Sequence, residues 1–196
     1  MALRHGSPSM TQVTAQIVRI SPERAERDIQ RLADLLIDAV EAGASVGFLP
    51  PLSKASALVY WREVITAMQQ GTRVLLVALE HDRVQGAVQL ALETRLNGDH
   101  RAEVIKLLVH RRSRRRGLAK ALIAEMESVA ITFGRTLLLL DTEKGSEAEH
   151  LYHSLGYVRF GEVPNYARGA DSQLLTTVFF YRRLEGDPPK IRRALL

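Results

Sequence analysis

VIKLLVHRRSRRRGLAKALIAEM, residues 104–126, joins an apolar strand to an arginine-rich loop and then to a helix that opens at Gly117. A helix N-terminus presents backbone N–H groups with no intrahelical partner, together with the positive end of the helix dipole. Anions settle there, pyrophosphate commonly among them. Gly117 lets the backbone approach a ligand with no Cβ in the way, Ala119 keeps the next turn slim, and the neighbouring arginines strengthen the pull on an anion. Composition alone would also allow HRRSRRRG to be a solvated basic face or a nucleic-acid patch. The strand–loop–helix setting disfavours both, and no aromatic residues interleave with the arginines to stack on bases.

Working outward, the helix from Gly117 to about Phe133 carries Leu118, Leu122, Met126, Ala130 and Phe133 on one face. Before residue 104, strands over Val74 to Glu80 and Val84 to Glu93 flank the polar turn His81-Asp82-Arg83, and a third strand runs from Arg101 to His110. Earlier still, a strand from Gln12 to Ile20 precedes Ser21-Pro22-Glu23, a helix start whose apolar positions Ile29, Leu32, Ala33, Leu36 and Val40 predict one helix as far as Gly43. The loop GASVGFLPPL leads to a second helix from Ser53 to Gln70. After the central helix, Thr136 to Thr142 is nearly all apolar, the pattern of a strand covered on both faces. A short helix from Ser146 to Leu155 and strands over Tyr157 to Val163 and Leu174 to Leu184 close the series. The order predicts an α/β layer fold: a mixed, mostly antiparallel sheet of about seven strands flanked by about four helices. Residues 11–185 read as one domain, with 1–10 a flexible extension and 186–196, which hold Pro188-Pro189, a flexible tail.

Arg114-Arg115-Arg116-Gly117-Leu118-Ala119 fits the pattern Arg/Gln-x-x-Gly-x-Gly/Ala and, with HLYHSLGYVRFGEVPNY at residues 150–166, resembles the GNAT N-acetyltransferases. The likeness covers nearly the whole chain, because the element order from Gln12 to Leu184 is similar too. DTEKGS at Asp141–Ser146, GASVGF at Gly43–Phe48 and RAEVIKL at Arg101–Leu107 resemble the branch of that family that contains tabtoxin resistance protein. One departure is Arg115, where many members carry Gly, so a stiffer loop is expected.

The resemblance implies acetyl-CoA as cosubstrate and direct acetyl transfer to a primary amine of a small, amino-acid-like or antibiotic-like molecule. It implies that Arg114 to Ala119 hold the pyrophosphate, that the strand ending at Leu107, Leu108 and Val109 pairs with the pantetheine arm, and that a free N–H there polarises the thioester carbonyl. Tyr152 falls beside the CoA sulfur, where a phenol can serve the leaving thiolate; read on its own it is a helix-face aromatic. Glu103 and Asp141 are rivals for the general base, and either can instead hold the substrate ammonium or serve structure alone. Val46, Phe48 and Tyr166 are candidates to line the acceptor site, or ordinary loop packing. The resemblance also admits a homodimer.

The bulk numbers agree with this. With 196 residues the chain can bury a sizeable core. Its 46% hydrophobic and 25% charged residues are those of a globular protein rather than a disordered one. No apolar run approaches the ~20 residues of a membrane span, and with no stretch of signal-peptide length a cytoplasmic location is expected. A net charge of +5 favours an anionic ligand. The absence of cysteine removes disulfides, thiolate zinc sites and a Cys nucleophile. The histidines lack a metal-ligand pattern beyond His150 and His153, three apart, so no metal is expected. Two further readings differ in kind: an acetyltransferase for protein lysines or N-termini, and a non-catalytic CoA- or nucleic-acid-binding module whose binding to nucleic acid would fall steeply with salt.

Overall fold

A computed structural model describes residues 15–185. The expected extension 1–10, the first residues of the expected first strand and the tail 186–196 lie outside them.

The elements run β1 (Gln16–Arg19), α1 (Pro22–Arg27), α2 (Ile29–Glu41), α3 (Lys54–Gln69), β2 (Arg73–Glu80), β3 (Arg83–Leu92), β4 (Arg101–Val109), α4 (Leu118–Thr132), β5 (Leu137–Glu143), α5 (Glu147–Ser154), β6 (Val158–Arg168) and β7 (Leu174–Arg183). Seven strands form one sheet in the order β1-β2-β3-β4-β5-β7-β6, antiparallel throughout except between β4 and β5. The mixed α/β sheet of the sequence reading is therefore present, with five α-helices in place of about four.

The extra helix comes from a break in the first. Asp28 leaves helical geometry at φ −96°, ψ 7° and caps both α1 and α2. It is buried, and its carboxylate is held by Arg24 on one side and by Arg31 at 2.7 Å on the other. The apolar period from Ile29 onward gave no sign of this, because it belongs wholly to α2.

Two apolar cores lie on opposite faces of the sheet. On one, α2 and α3 bury Leu32, Leu36 and Trp61 against Leu75, Val77, Ala87 and Leu108. On the other, α4 lays Leu118, Leu122, Met126 and Ala130 over Leu76, Leu90, Val104 and Leu138. Phe133, expected on the same buried face of α4, is 37% exposed, with the Arg19 guanidinium 5.6 Å from its ring. The expected two-sided burial of β5 is also not found. Leu138 and Leu140 are buried, but Leu137 and Leu139 are only half-covered and Asp141 is exposed. The physical reason is that the helical layer of α2 and α3 packs over β2, β3 and β4 and stops short of β5.

Two irregularities in β4 bear on the site. Its ladder with β5 covers only Arg101 to Glu103, opposite Leu137 to Leu139, although both strands continue. The strands thus part beyond Glu103. On its other edge Ala87 pairs with Leu108 and Gln89 with Ile105, so Lys106 and Leu107 together face the single residue Val88. This β-bulge has Lys106 at φ +52°.

Candidate active site

The parting of β4 and β5 opens a slot whose mouth is the loop 110–117. In that loop Arg115 takes φ +61° and Gly117 φ +80°. Gly117 caps α4 with no side-chain hydrogen bond, so the first N–H groups of a fifteen-residue helix stay free. A left-handed backbone at Arg115 is the conformation glycine takes without strain, which accounts for the glycine common at this place in the resemblance.

Most of the loop's arginines hold the loop itself. Arg111 donates its backbone N–H and Nε to Asp38 at 2.9 and 2.6 Å, Arg115 reaches Glu147 at 2.6 Å, and Arg116 makes a forked pair with Glu80 at 2.6 and 3.1 Å. Arg114 Nε donates to Val109 O at 3.3 Å, and buried Ser113 donates to Gln85 at 2.7 Å. Charge-neutralised arginines pinned to α2, α5 and β2 make a scaffold rather than an open basic face. Sequence reading missed this, because the carboxylates are 32 to 73 residues away.

Further in, the bulge governs which side chains share a face. Ala102 and Val104 point to the α4 core. The extra residue shifts the alternation, so Leu107 and Val109 pack on that core while Leu108 enters the opposite one. Leu107, Leu108 and Val109 therefore serve two cores while lying on the β4 segment beyond the last β5 pair. Glu103 and Lys106 fall on the other face, and Asp141 follows two residues beyond Leu139, the partner of Glu103.

Glu103, Lys106 and Asp141 form an electrostatically coupled group. Although Glu103 is exposed, partial desolvation by the surrounding protein raises it above the usual carboxylate value, and the neighbouring Asp141 charge adds to this. Partial desolvation raises Asp141 as well, exposed though its side chain is, with Lys106 opposing. Burial lowers Lys106. Among the described residues none of the three makes a hydrogen bond or an ion pair through its side chain; Glu103 and Asp141 are exposed and Lys106 is half-buried. The Lys106 ammonium instead lies 6.0 Å from the Phe48 ring centre and 5.9 Å from that of Tyr60. A side chain at Gly47 would come within 3.3 Å of its Nζ. Behind it, Arg73 donates to Gln89 at 3.2 Å and Gln89 to the Tyr60 hydroxyl at 2.9 Å, while burial pushes Tyr60 up to about 12. Lys106, Tyr60, Gln89 and Arg73 were not singled out in the sequence; the one available signal was the broken alternation of Val104 to Leu108.

Tyr152 reaches the slot from α5. Ser146 caps that helix by accepting from the Glu149 N–H at 3.2 Å, and Glu149 reaches back to the Gly145 N–H at 2.6 Å. The Tyr152 ring is buried between Tyr157 and Phe180, with centroids 5.7 and 6.1 Å away. Its hydroxyl has no hydrogen-bond partner among the described residues. Burial, and secondly the charge of Asp141, hold it well above the ordinary phenol value.

Glu103, Lys106 and Asp141 thus lie within electrostatic reach of one another, Phe48 flanks Lys106, Tyr152 feels the charge of Asp141, and Arg114 to Ala119 follow the end of β4. Val46 packs against the α2–α3 core. Tyr166 is 56% exposed on β6, edge-on to Phe179, whose strand neighbour is Asp141. Two shallow grooves along α3, lined by Arg62 and Thr66 and by Glu26 and Gln69, contain none of these residues. Among the described residues no group of three or more His, Asp or Glu is placed to hold a metal, and no helix is long and apolar enough to cross a membrane.

Comparison with known structures points the same way. An N-acetyltransferase from Staphylococcus aureus Mu50 superposes with a TM-score of 0.72 at 18% identity, covering 88% of this chain and 99% of that one. The Salmonella typhimurium protein yncA, solved with its cofactor acetyl-CoA, gives 0.73 at 18% identity over 90% and 98%. The ribosomal-protein-alanine N-acetyltransferase from Brucella melitensis gives 0.71 at 20% identity over 86% and 99%. At such identities the likeness is one of fold. The family model described as acetyltransferase (GNAT) family matches residues 36–157, well over half of the chain, and so the chain belongs to the GNAT acetyltransferases.

Proposed function

We propose that this protein uses acetyl-CoA to acetylate a primary amine of a small, amino-acid-like or antibiotic-like molecule. The observation that carries the reading is the parting of β4 and β5, with unpartnered carboxylates on one side, the Tyr152 hydroxyl on the other and the uncapped start of α4 at its mouth. The residues present fit acetyl-CoA. The backbone from Arg114 to Ala119 offers N–H donors to a pyrophosphate with no side chain at Gly117 in the way. The unpaired edge of β4 at Leu107 to Val109 offers an extended arm a strand to pair with, and a backbone N–H to polarise a carbonyl. Bound there, acetyl-CoA supplies an activated acyl group.

Glu103 or Asp141 takes the proton of the attacking amine, and the other steadies the ammonium form as it arrives. Both are raised from the ordinary carboxylate value, the direction that favours a proton acceptor. Tyr152 stays protonated at every working pH and donates a hydrogen bond to the sulfur as negative charge gathers on it. The chain holds no cysteine to carry the acyl group, which favours direct transfer. Phe48 walls the acceptor side, and Val46 and Tyr166 border it. The DTEKGS, GASVGF and RAEVIKL segments support placement near the tabtoxin-resistance branch and hence a small acceptor. The exposed Phe160 and Tyr166 on β6 support pairing of two copies through that face.

Calorimetric titration with acetyl-CoA, followed by thiol release over a panel of small amines, tests the reading. Binding and release on some amines support it. Binding with release only on a peptide N-terminus or protein lysine favours the macromolecular acceptor. Absence of binding refutes it.

A further inference from the structure

The charges around Lys106 have a deeper consequence for the acceptor. Two carboxylates, Glu103 and Asp141, share the site with two cations, Lys106 and Arg73, each felt by Glu103, yet no ion pair within 4 Å joins them among the described residues. The Arg73 Nε is buried with no hydrogen-bond partner, while its other end is fixed to Gln89 at 3.2 Å. Lys106 is aimed by a bulge in a left-handed conformation, at φ +52°, that a non-glycine residue adopts only under strain. Two aromatic rings wall its ammonium, and a missing side chain at Gly47 gives it room. An acceptor carrying only an amine would satisfy the carboxylates and add a like charge beside Lys106 and Arg73. A molecule carrying both an amine and a carboxylate satisfies both sets and leaves the site's net charge unchanged.

We propose that the acceptor is a zwitterion, an α-amino acid or close analogue, whose carboxylate is held by Lys106 while its amine faces Glu103 and Asp141. This rests on the acetyl-transfer reading above and narrows it. The probes are L-amino acids, each assayed for CoA release beside its own carboxamide. In the wild-type protein kcat/KM favours the free acid by about tenfold to a hundredfold, the range of a charge-assisted hydrogen bond. Lys106→Met brings that ratio close to one, and Lys106→Arg, which keeps the charge, retains most of it. A ratio is unaffected by how much of a variant is correctly folded, so instability of Lys106→Met does not blur the outcome. Equal use of acid and carboxamide by the wild-type protein overturns the proposal, as does an unchanged ratio in Lys106→Met. CoA release with other amines but with no free amino acid overturns it while leaving acetyl transfer standing. Failure to bind acetyl-CoA overturns both.

Discussion

Replacing Tyr152 by Phe removes one oxygen from a ring that is 5% exposed. The ring contacts with Tyr157 and Phe180 are unaffected, and because the hydroxyl has no partner among the described residues, no buried group is left unsatisfied in the folded protein. Thermal stability should therefore stay within about 0.5 kcal/mol of the wild type. What is lost is a donor to the leaving sulfur. Hydrogen bonds to charged groups are worth about 1.5–3 kcal/mol, and a value near 2 kcal/mol corresponds to roughly a 30-fold fall in kcat. The affinity for acetyl-CoA should change by less than about twofold, since a thioester sulfur before reaction is a poor acceptor and the term appears only as charge develops. Steady-state thiol release, calorimetry with acetyl-CoA and a thermal melt on the same preparation separate the three quantities. An unchanged kcat with an unchanged melt removes Tyr152 from the chemistry. A fall in stability that matches the fall in activity would make the hydroxyl structural.

Gly117→Val places a branched side chain at φ +80°, which costs about 1–2 kcal/mol of backbone strain, and puts its methyls at the mouth of α4; acetyl-CoA affinity measured by calorimetry should fall at least tenfold while far-UV circular dichroism still shows the native fold. Glu103→Gln should raise the melting temperature at pH 7 and leave it unchanged below pH 4. With a folded pKa above the unfolded 4.5, Glu103 loses stability as pH rises through that window, so Gln relieves the cost only above it, and a gain at pH 4 would contradict a carboxylate raised by partial desolvation and the charge of Asp141. In the same variant, if Glu103 is the base, the acid limb of the kcat/KM profile should vanish; its persistence would pass the role to Asp141. Phe160→Glu, on a side chain 58% exposed, should leave the melt intact and shift a dimer to monomer in sedimentation; a monomeric wild type removes the pairing of copies from the reading.

The seven strands were legible because each shows a period or a run that only a strand supports, and Ser21, Ser53 and Ser146 marked helix starts that the structure confirms as caps. The break at Asp28 was hidden, since a single buried aspartate held by Arg24 and Arg31 leaves the flanking helical periods undisturbed. Leu137 to Leu140 misled for a different reason: four leucines in a row record how apolar a strand is and not how far the covering helices extend. Glu103 and Tyr152 were singled out through the resemblance and Asp141 from its place at the end of an apolar strand, since spacing alone does not show that residues 103 and 141 lie on neighbouring strands that pair and then diverge. Lys106 was missed because a lysine in an apolar strand normally lies along the surface, and only the pairing register with Val88 reveals its direction.

The bulge at Lys106 also sets a rule for altering this protein. Upstream and downstream of it, β4 is read in two phases, much as a nucleotide insertion divides a gene into two frames. Removing one residue from Ile105–Leu107 would close the bulge and leave Leu108 and Val109 in their present cores, losing only the left-handed turn that aims Lys106, whereas adding one would put Leu108 into the α4 core and Val109 into the other, exchanging every partner downstream. A segment grafted from a relative must therefore bring the whole stretch from Val104 to Leu108 as one unit, since a join inside it can drop the bulge, and with it the aim of Lys106, or double it and carry the wrong phase into the loop that starts α4.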